Sequence, residues 1–207
     1  MTKYKKLSRD FYNRDTVQVA QELLGMYLVH HTQNQVLVGK IVETEAYKGT
    51  IDKAAHSYGG KMTERNKIMF GAPGYAYVYL IYGMYMCMNI VTEPEGQPCA
   101  VLIRALEPIE GLHQMSFNRF SKAYQELSNN QIKSISNGPG KLCIAMNITK
   151  ECYGEDLCGN KLYVAQPEKK EKFEIVTAKR INIDYAEEAI HFPWRFYIKD
   201  NIYVSAK

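Results

Sequence analysis

The stretch IVETEAY, residues 41–47, sets two carboxylates at alternate positions, Glu43 and Glu45, between an isoleucine and a tyrosine. An extended backbone turns successive side chains to opposite faces, so Ile41, Glu43, Glu45 and Tyr47 are expected to share one surface. Two readings fit that pattern. The acids of an edge strand can simply face water. Alternatively, one acid is a general base on a rigid strand, and the second raises its basicity through like-charge repulsion. Further along, CAVLIRALEP, residues 99–108, reads as a buried strand interrupted by Arg104. An unpaired buried guanidinium is costly, so either an acid such as Glu107 pairs with Arg104, or Arg104 lines a cleft that binds an anion. His56 lies with Asp52 in a loop-like stretch, as a surface residue or as a catalyst, and only geometry separates the two. In NGPGKLCIAM, residues 137–146, a glycine-containing turn runs into a helix whose N-terminal amides could hold a phosphate beside Lys141. The pattern is not that of a nucleoside-triphosphate loop.

These residues need elements to position them. Asp15 caps a helix over residues 16–24, with Gln18 completing a capping box, Gly25 as the stop and Val17, Ala20, Leu23 and Leu24 as its buried stripe. Residues 26–31 and 36–47 read as strands joined by the polar turn 32–35. Pro108 starts a helix carrying Ile109, Leu112 and Met115. Residues 116–135 are polar and partly helical. Short strands over 162–164, 173–177, 181–183, 195–198 and 202–204 alternate with turns, as in an antiparallel sheet.

The most unusual element is YAYVYLIYGMYMCMNI, residues 75–90, with five tyrosines and three methionines around Gly83. Tyr75, Tyr77 and Tyr79 alternate before the Tyr82-Gly83 pair, and Met84, Met86 and Met88 alternate after it, which reads as a hairpin. Gly83 supplies the freedom for the turn and leaves Tyr82, Met84 and Tyr85 at the tip. Either the strands are buried core with tyrosine hydroxyls at the edge, or the tip is a wedge that enters something stacked and flat.

Composition bounds these readings. A chain of 207 residues suits one domain, here residues 1–207, whose core needs neither disulfide nor metal. A net charge of +4 suits a polyanionic partner, although the basic residues are scattered apart from Lys169, Lys170 and Lys172. Sixteen tyrosines against one tryptophan favour surfaces that stack on nucleobases. Five cysteines without C-x-x-C spacing indicate reduced thiols. The N-terminal residues lack an apolar leader and no apolar run is long enough to span a bilayer, so the expectation is a cytoplasmic protein without a membrane partner.

Taken in order, IVETEAY (41–47), AHS (55–57), YVYLIYGMY (77–85), MNI (88–90), RALEP (104–108) and GPGKLC (138–143) closely resemble the alkyladenine DNA glycosylase family, the mammalian-type 3-methyladenine DNA glycosylases. The likeness runs from the Leu-Leu-Gly end of the first helix to residues 195–198, and residues 117–136 and 154–172 depart from it. It implies a single α+β domain with a curved antiparallel sheet, flanking helices and a protruding hairpin that inserts into the DNA minor groove, similar to the C-terminal domain of formyltransferases. It also implies a monomeric enzyme that takes duplex DNA, flips a damaged purine and hydrolyses the N-glycosidic bond without metal or cofactor. A nucleoid-associated site in a bacterium follows.

By the same resemblance Glu45 activates water, and Arg104 helps hold that water and the nearby phosphate. Tyr47, His56 and Tyr79 wall the flipped base, Asn89 guards against the guanine 2-amino group, and Tyr82 fills the vacated stack between Met84 and Tyr85. A backbone carbonyl near the water is expected within residues 181–184. No lysine stands at a lyase motif, which implies a monofunctional enzyme. Two other classes compete: a non-catalytic minor-groove damage binder that kinks DNA with the Tyr82 hairpin, and a metal-dependent nuclease built on Glu43 and Glu45. The nuclease is disfavoured by the lack of further acids or histidines to complete a metal site.

Overall fold

The computed structural model describes residues 4–33, 35–169 and 171–206. Two sequence features, Asn34 of the first turn and Lys170 of the lysine run, lie outside the described residues. The fold is mixed, a single antiparallel sheet with few helices. Its strands are β1 (Lys5–Lys6), β2 (Tyr27–His31), β3 (Val36–Tyr47), β4 (Ala76–Ile81), β5 (Tyr85–Thr92), β6 (Cys99–Glu110), β7 (Leu162–Gln166), β8 (Ile175–Ala178) and β9 (Arg195–Ile198). The order is β1-β7-β2-β3-β6-β5-β4, and β9 pairs with both β3 and β8.

Strand β3 organises this sheet. From Val38 to Tyr47 it pairs with β6 along one side, while the other side is shared between β2 near its start and β9 at Glu43 to Glu45. It is therefore a central strand, and the edge-strand reading of its acids is overturned. Register shifts against β6 flank Glu43. A bulge of this kind re-aims side chains, and Ile41 accordingly packs in the principal apolar core with Val42 and Ala46 instead of beside the acids.

The helices are α1 (Arg9–Tyr12), α2 (Thr16–Glu22), α3 (Leu112–Phe120), α4 (Asn129–Lys133) and α5 (Pro139–Ala145). Asp15 caps α2 by accepting from the amides of Val17 and Gln18. The Gln18 side chain donates its Nε2 to Glu22, and the Asp15 cap stands without the reciprocal bond of a capping box. Val19, Ala20, Leu23 and Leu24 are buried against the sheet, and the Thr44 hydroxyl donates to the Ala20 carbonyl at 2.8 Å. That bond ties α2 to the back of the strand that carries the acids.

Three expected elements are corrected. Pro108 begins no helix. It lies inside β6 opposite Gly39, where a register shift accommodates its missing N–H, and the helix starts only after Gly111 at φ 81°. Residues 181–183 are not a strand, since Asn182 adopts φ 57° and the Ile181 amide is taken by a side chain. Residues 202–204 form a turn after Asp200 at φ 58°.

Candidate active site

Pairing of β3 with β6 sets Glu43 opposite Ala105 and Glu45 opposite Leu102, which brings Arg104 between the two acids. Its Nε donates to Glu43 Oε1 at 3.1 Å, its Nη1 lies 3.3 Å from Glu45 Oε1, and its Nη2 donates to Ser205 Oγ at 3.3 Å. Both carboxylates are fully buried. Burial acts to lower the Arg104 pKa, but the charges of Glu45 and Glu43 outweigh it and raise it. Glu107 is not the partner; it takes Lys40 and Asn201 instead.

Glu45 is held from three directions. Oε1 accepts the Ile181 amide at 2.8 Å and forms an ion pair with Arg104, and Oε2 accepts the Tyr47 hydroxyl at 2.8 Å. The burial of Tyr47 and the adjacent Glu45 charge push its pKa well above the ordinary phenol value, so it stays a donor. A carboxylate offers roughly four acceptor sites. One site on Oε2 is thus left over, enough for a water molecule.

A pocket of about 340 Å³ opens over this group. Tyr47, Arg104 and Ile181 line it, so Glu45 lies just behind a wall made of its own partners. His56, Tyr79 and Asn89 line it as well. The His56 and Tyr79 ring centroids are 4.6 Å apart, edge to face, and His56 Nδ1 pairs with the Tyr77 hydroxyl at 2.8 Å. Burial of the imidazole among these rings, followed by the Arg65 charge, lowers its pKa to about 4, although the residue as a whole is exposed at the mouth. At neutral pH it is an uncharged wall. Burial likewise raises the Tyr77 pKa to about 12 and that of Tyr79 further. Asn89 pairs in register with Tyr77 and donates its side-chain amide to the Tyr77 carbonyl at 3.1 Å.

The β4–β5 hairpin divides along its length. Tyr77, Cys87 and Met88 are buried, whereas Tyr82 is 72% and Met84 67% exposed, with Tyr85 also exposed. Tyr82 and Gly83 both have positive φ, 53° and 68°, and the Met84 amide closes the turn on the Ile81 carbonyl at 3.2 Å. A bulky residue held left-handed costs roughly 1–2 kcal/mol, yet here it carries an aromatic ring into solvent beside the pocket that Tyr82 and Tyr85 help line. The packing supports that placement from below. A Cβ at Gly140, in the first turn of α5, would stand 3.0 Å from the Tyr85 side chain, so the glycine gives the helix and the tip a close approach.

Lys141 is not brought to the pocket wall. Its Nζ donates to Asn137 Oδ1 at 2.9 Å, and burial followed by the Arg119 charge lowers its pKa. In residues 181–184 the polar contact made to Glu45 comes from the Ile181 N–H, not from a carbonyl. Sequence reasoning missed a second layer. Arg180, its side chain fully buried, donates to both oxygens of Asp52 and lies 4.8 Å from the Tyr47 ring centroid and 5.1 Å from that of Trp194. Arg195 and Ser205 converge on Glu43. Among the described residues no three histidine, cysteine or acidic side chains are grouped to hold a metal, and no helix is long and apolar enough to cross a membrane.

Comparison with known proteins agrees with the motifs. A protein of Alkaliphilus oremlandii is 60% identical over 202 residues, covering 98% of this chain and 100% of its own length. One from Desulfitobacterium hafniense is 59% identical over 203 residues with the same coverage, and one from Bacillus cytotoxicus is 57% identical over 199 residues, 94% of this chain and 97% of its own. Each carries 3-methyladenine DNA glycosylase as a provisional name. The sequence model of the family described as methylpurine-DNA glycosylase (MPG) matches residues 10–202, and the chain belongs to that family.

Proposed function

We propose that the chain is a monofunctional DNA glycosylase that flips alkylated purines, 3-methyladenine foremost, out of duplex DNA and hydrolyses the N-glycosidic bond. The observation that carries this reading is the buried Glu45 carboxylate with one acceptor site left, set behind a pocket walled by Tyr47, Tyr79, His56 and Asn89. The pocket volume falls in the range of small-ligand sites, roughly 300–1,000 Å³. Its walls suit a flat, electron-poor ring, since a cationic purine is attracted to tyrosine faces.

Glu45 orients water toward the anomeric carbon and takes its proton as the C–O bond forms. The C–N bond breaks with its electron pair leaving on the base. The same carboxylate, with Arg104 holding it in place, stabilises the oxocarbenium-like sugar. An alkylated purine is already cationic and needs no acid to leave. For a neutral base such as hypoxanthine, His56 is uncharged at neutral pH and only protonated phenols are at hand. Deaminated bases are therefore expected to be slower substrates. The enzyme is taken to work as a monomer, on a curved sheet of the formyltransferase C-terminal kind.

Extrusion of the nucleotide costs a few kcal/mol, least for damaged bases, and an aromatic wedge recovers roughly 1–3 kcal/mol by stacking. Tyr82, flanked by Met84 and Tyr85, is that wedge. Tyr82→Ala is expected to lower excision from duplex DNA by about 5- to 150-fold with the thermal midpoint nearly unchanged. A large drop in the midpoint would return the tip to the core. Incubation with alkylated duplex DNA in EDTA is expected to release free 3-methyladenine and leave abasic sites. Lesion-selective binding without base release on any substrate would identify a minor-groove damage binder instead, and dependence on added metal would revive a nuclease at Glu43 and Glu45.

A further inference from the structure

Glu43 has no part in the mechanism above, yet its carboxylate takes four hydrogen bonds. Its Oε1 accepts from Arg104 Nε at 3.1 Å, Arg195 Nη1 at 2.8 Å and Ser205 Oγ at 3.0 Å, and its Oε2 accepts the Ser205 amide at 2.7 Å. Three donors thus converge on Oε1 and one on Oε2. Of the groups bonded to it only Arg104 lines the pocket, and Arg195 and Ser205 hold it on the far side, so it is not placed to serve as the base.

The surroundings form a closed charge quartet, with two carboxylates and two guanidiniums almost wholly removed from water. The sharing of Arg104 is unequal. Its Nε lies 3.1 Å from Glu43, while only one Nη1 contact, at 3.3 Å, goes to Glu45. In a poorly screened interior the charges on this quartet act strongly on one another. If Glu43 were uncharged, the field of Arg104 and Arg195 would fall on Glu45 alone and hold its carboxylate against taking a proton. If Arg195 were uncharged, the excess would be negative and Glu45 more basic.

We propose that Glu43 is a positioning residue which engages Arg195 and shares Arg104, and so sets how readily Glu45 accepts the proton of the attacking water. The terminal stretch at Ser205 and Ala206 belongs to the same device: the Ser205 amide and hydroxyl bind Glu43, and Arg195 Nη1 also donates to the Ala206 carbonyl at 2.8 Å. This proposal rests on Glu45 being the base.

The other groups around Glu45 are Tyr47 on its own strand, Arg104 on β6, Arg195 on β9 with Glu43 between them, Cys87 on β5, and Arg180 and Tyr185 on the loop that carries Ile181. Single-turnover release of a cationic base, at saturating enzyme, is to be followed against pH. His56 titrates on the same side of neutrality, so each profile is repeated in a His56→Gln background. E43Q is expected to move the acidic limb down by about one pH unit and lower the plateau. R195Q is expected to move the limb up by about one unit. The E43Q/R195Q double variant, with the charge balance restored, is expected to return the limb close to its starting position.

Opposite shifts that cancel are not produced by loosened packing, and thermal midpoints of all three variants are read alongside. Equal shifts, or none, in folded variants would overturn the proposal. If a single variant fails to fold, the double variant still decides: a limb displaced by a full unit in it overturns the charge-balance account. Full activity in Glu45→Gln would instead defeat the reading of Glu45 as base, so the two failures are distinguishable.

Discussion

Glu45→Gln is expected to slow single-turnover release of 3-methyladenine by about 10²- to 10⁴-fold, with affinity for lesion duplex changed little. The substitution keeps the shape of the side chain and leaves an amide oxygen to accept from Ile181. It removes the negative charge and the remaining Oε2 acceptor site held just behind the pocket wall. Neither a neutral His56 nor a phenol held protonated by burial replaces it as a base at neutral pH. On the proposed reading binding relies on other parts, the aromatic walls, Asn89 and the exposed tip at Tyr82, none of which bonds to Glu45 except Tyr47. The variant does leave Arg104 and Arg195 facing a single carboxylate, so its folding is checked by circular dichroism and by lesion binding before the rate is read. Release within tenfold of the parent, from a folded variant that binds, would mean that another group activates the water.

The tip of the hairpin has a different kind of effect. Its exposed rings leave little surface buried and so contribute little to folding, while the proposed wedge role predicts a large contribution to holding a base extrahelical. The loss expected for Tyr82→Ala is therefore confined to duplex substrate, and the same lesion in a single strand should be excised with a smaller penalty.

The limits of β3, Val36–Tyr47, were legible at both ends, because a run of β-branched residues and alternation is bounded by a polar turn. The hairpin with Tyr82 and Gly83 at its turn was legible for the same reason. What alternation does not carry is which edge of a strand is covered. The water-facing reading of Glu43 and Glu45 failed because β9, some 150 residues later, closes the open side of β3 and Arg195 reaches Glu43. Residues 181–183 and 202–204 look like strands by their apolar alternation, but the Ile181 and Ser205 amides are spent on Glu45 and Glu43. A local pattern cannot show that a distant carboxylate claims a backbone donor. Arg180 and Asp52, 128 residues apart, meet for reasons no motif expresses.

That last pair has the largest expected effect on stability. Asp52 and Arg180 have no exposed side-chain surface, and they meet through two parallel bonds, Nη2 to Oδ1 at 2.8 Å and Nη1 to Oδ2 at 2.5 Å. Asp52 also accepts the amides of Lys48 and Ala54, and Arg180 also donates to the carbonyls of Ala46 and Ala189. Asp52→Ala leaves the guanidinium buried with carbonyls and two rings but no counter-charge, a change that costs about 3–5 kcal/mol. A domain has roughly 5–15 kcal/mol in all, so the variant is expected to lie near the edge of folding, with a urea midpoint far below that of the parent and an unchanged slope. Asp52→Asn keeps the shape and one acceptor, and should lose less. Its defect is expected to reach the chemistry as well, since Arg180 stacks on Tyr47 and precedes Ile181, and both of these bond to Glu45. The excision rate of folded Asp52→Asn should therefore fall more than its lesion affinity. An Asp52→Ala midpoint within about 1 kcal/mol of the parent would show that the guanidinium finds water or another partner when its carboxylate is gone, and that the pair does not hold the pocket together.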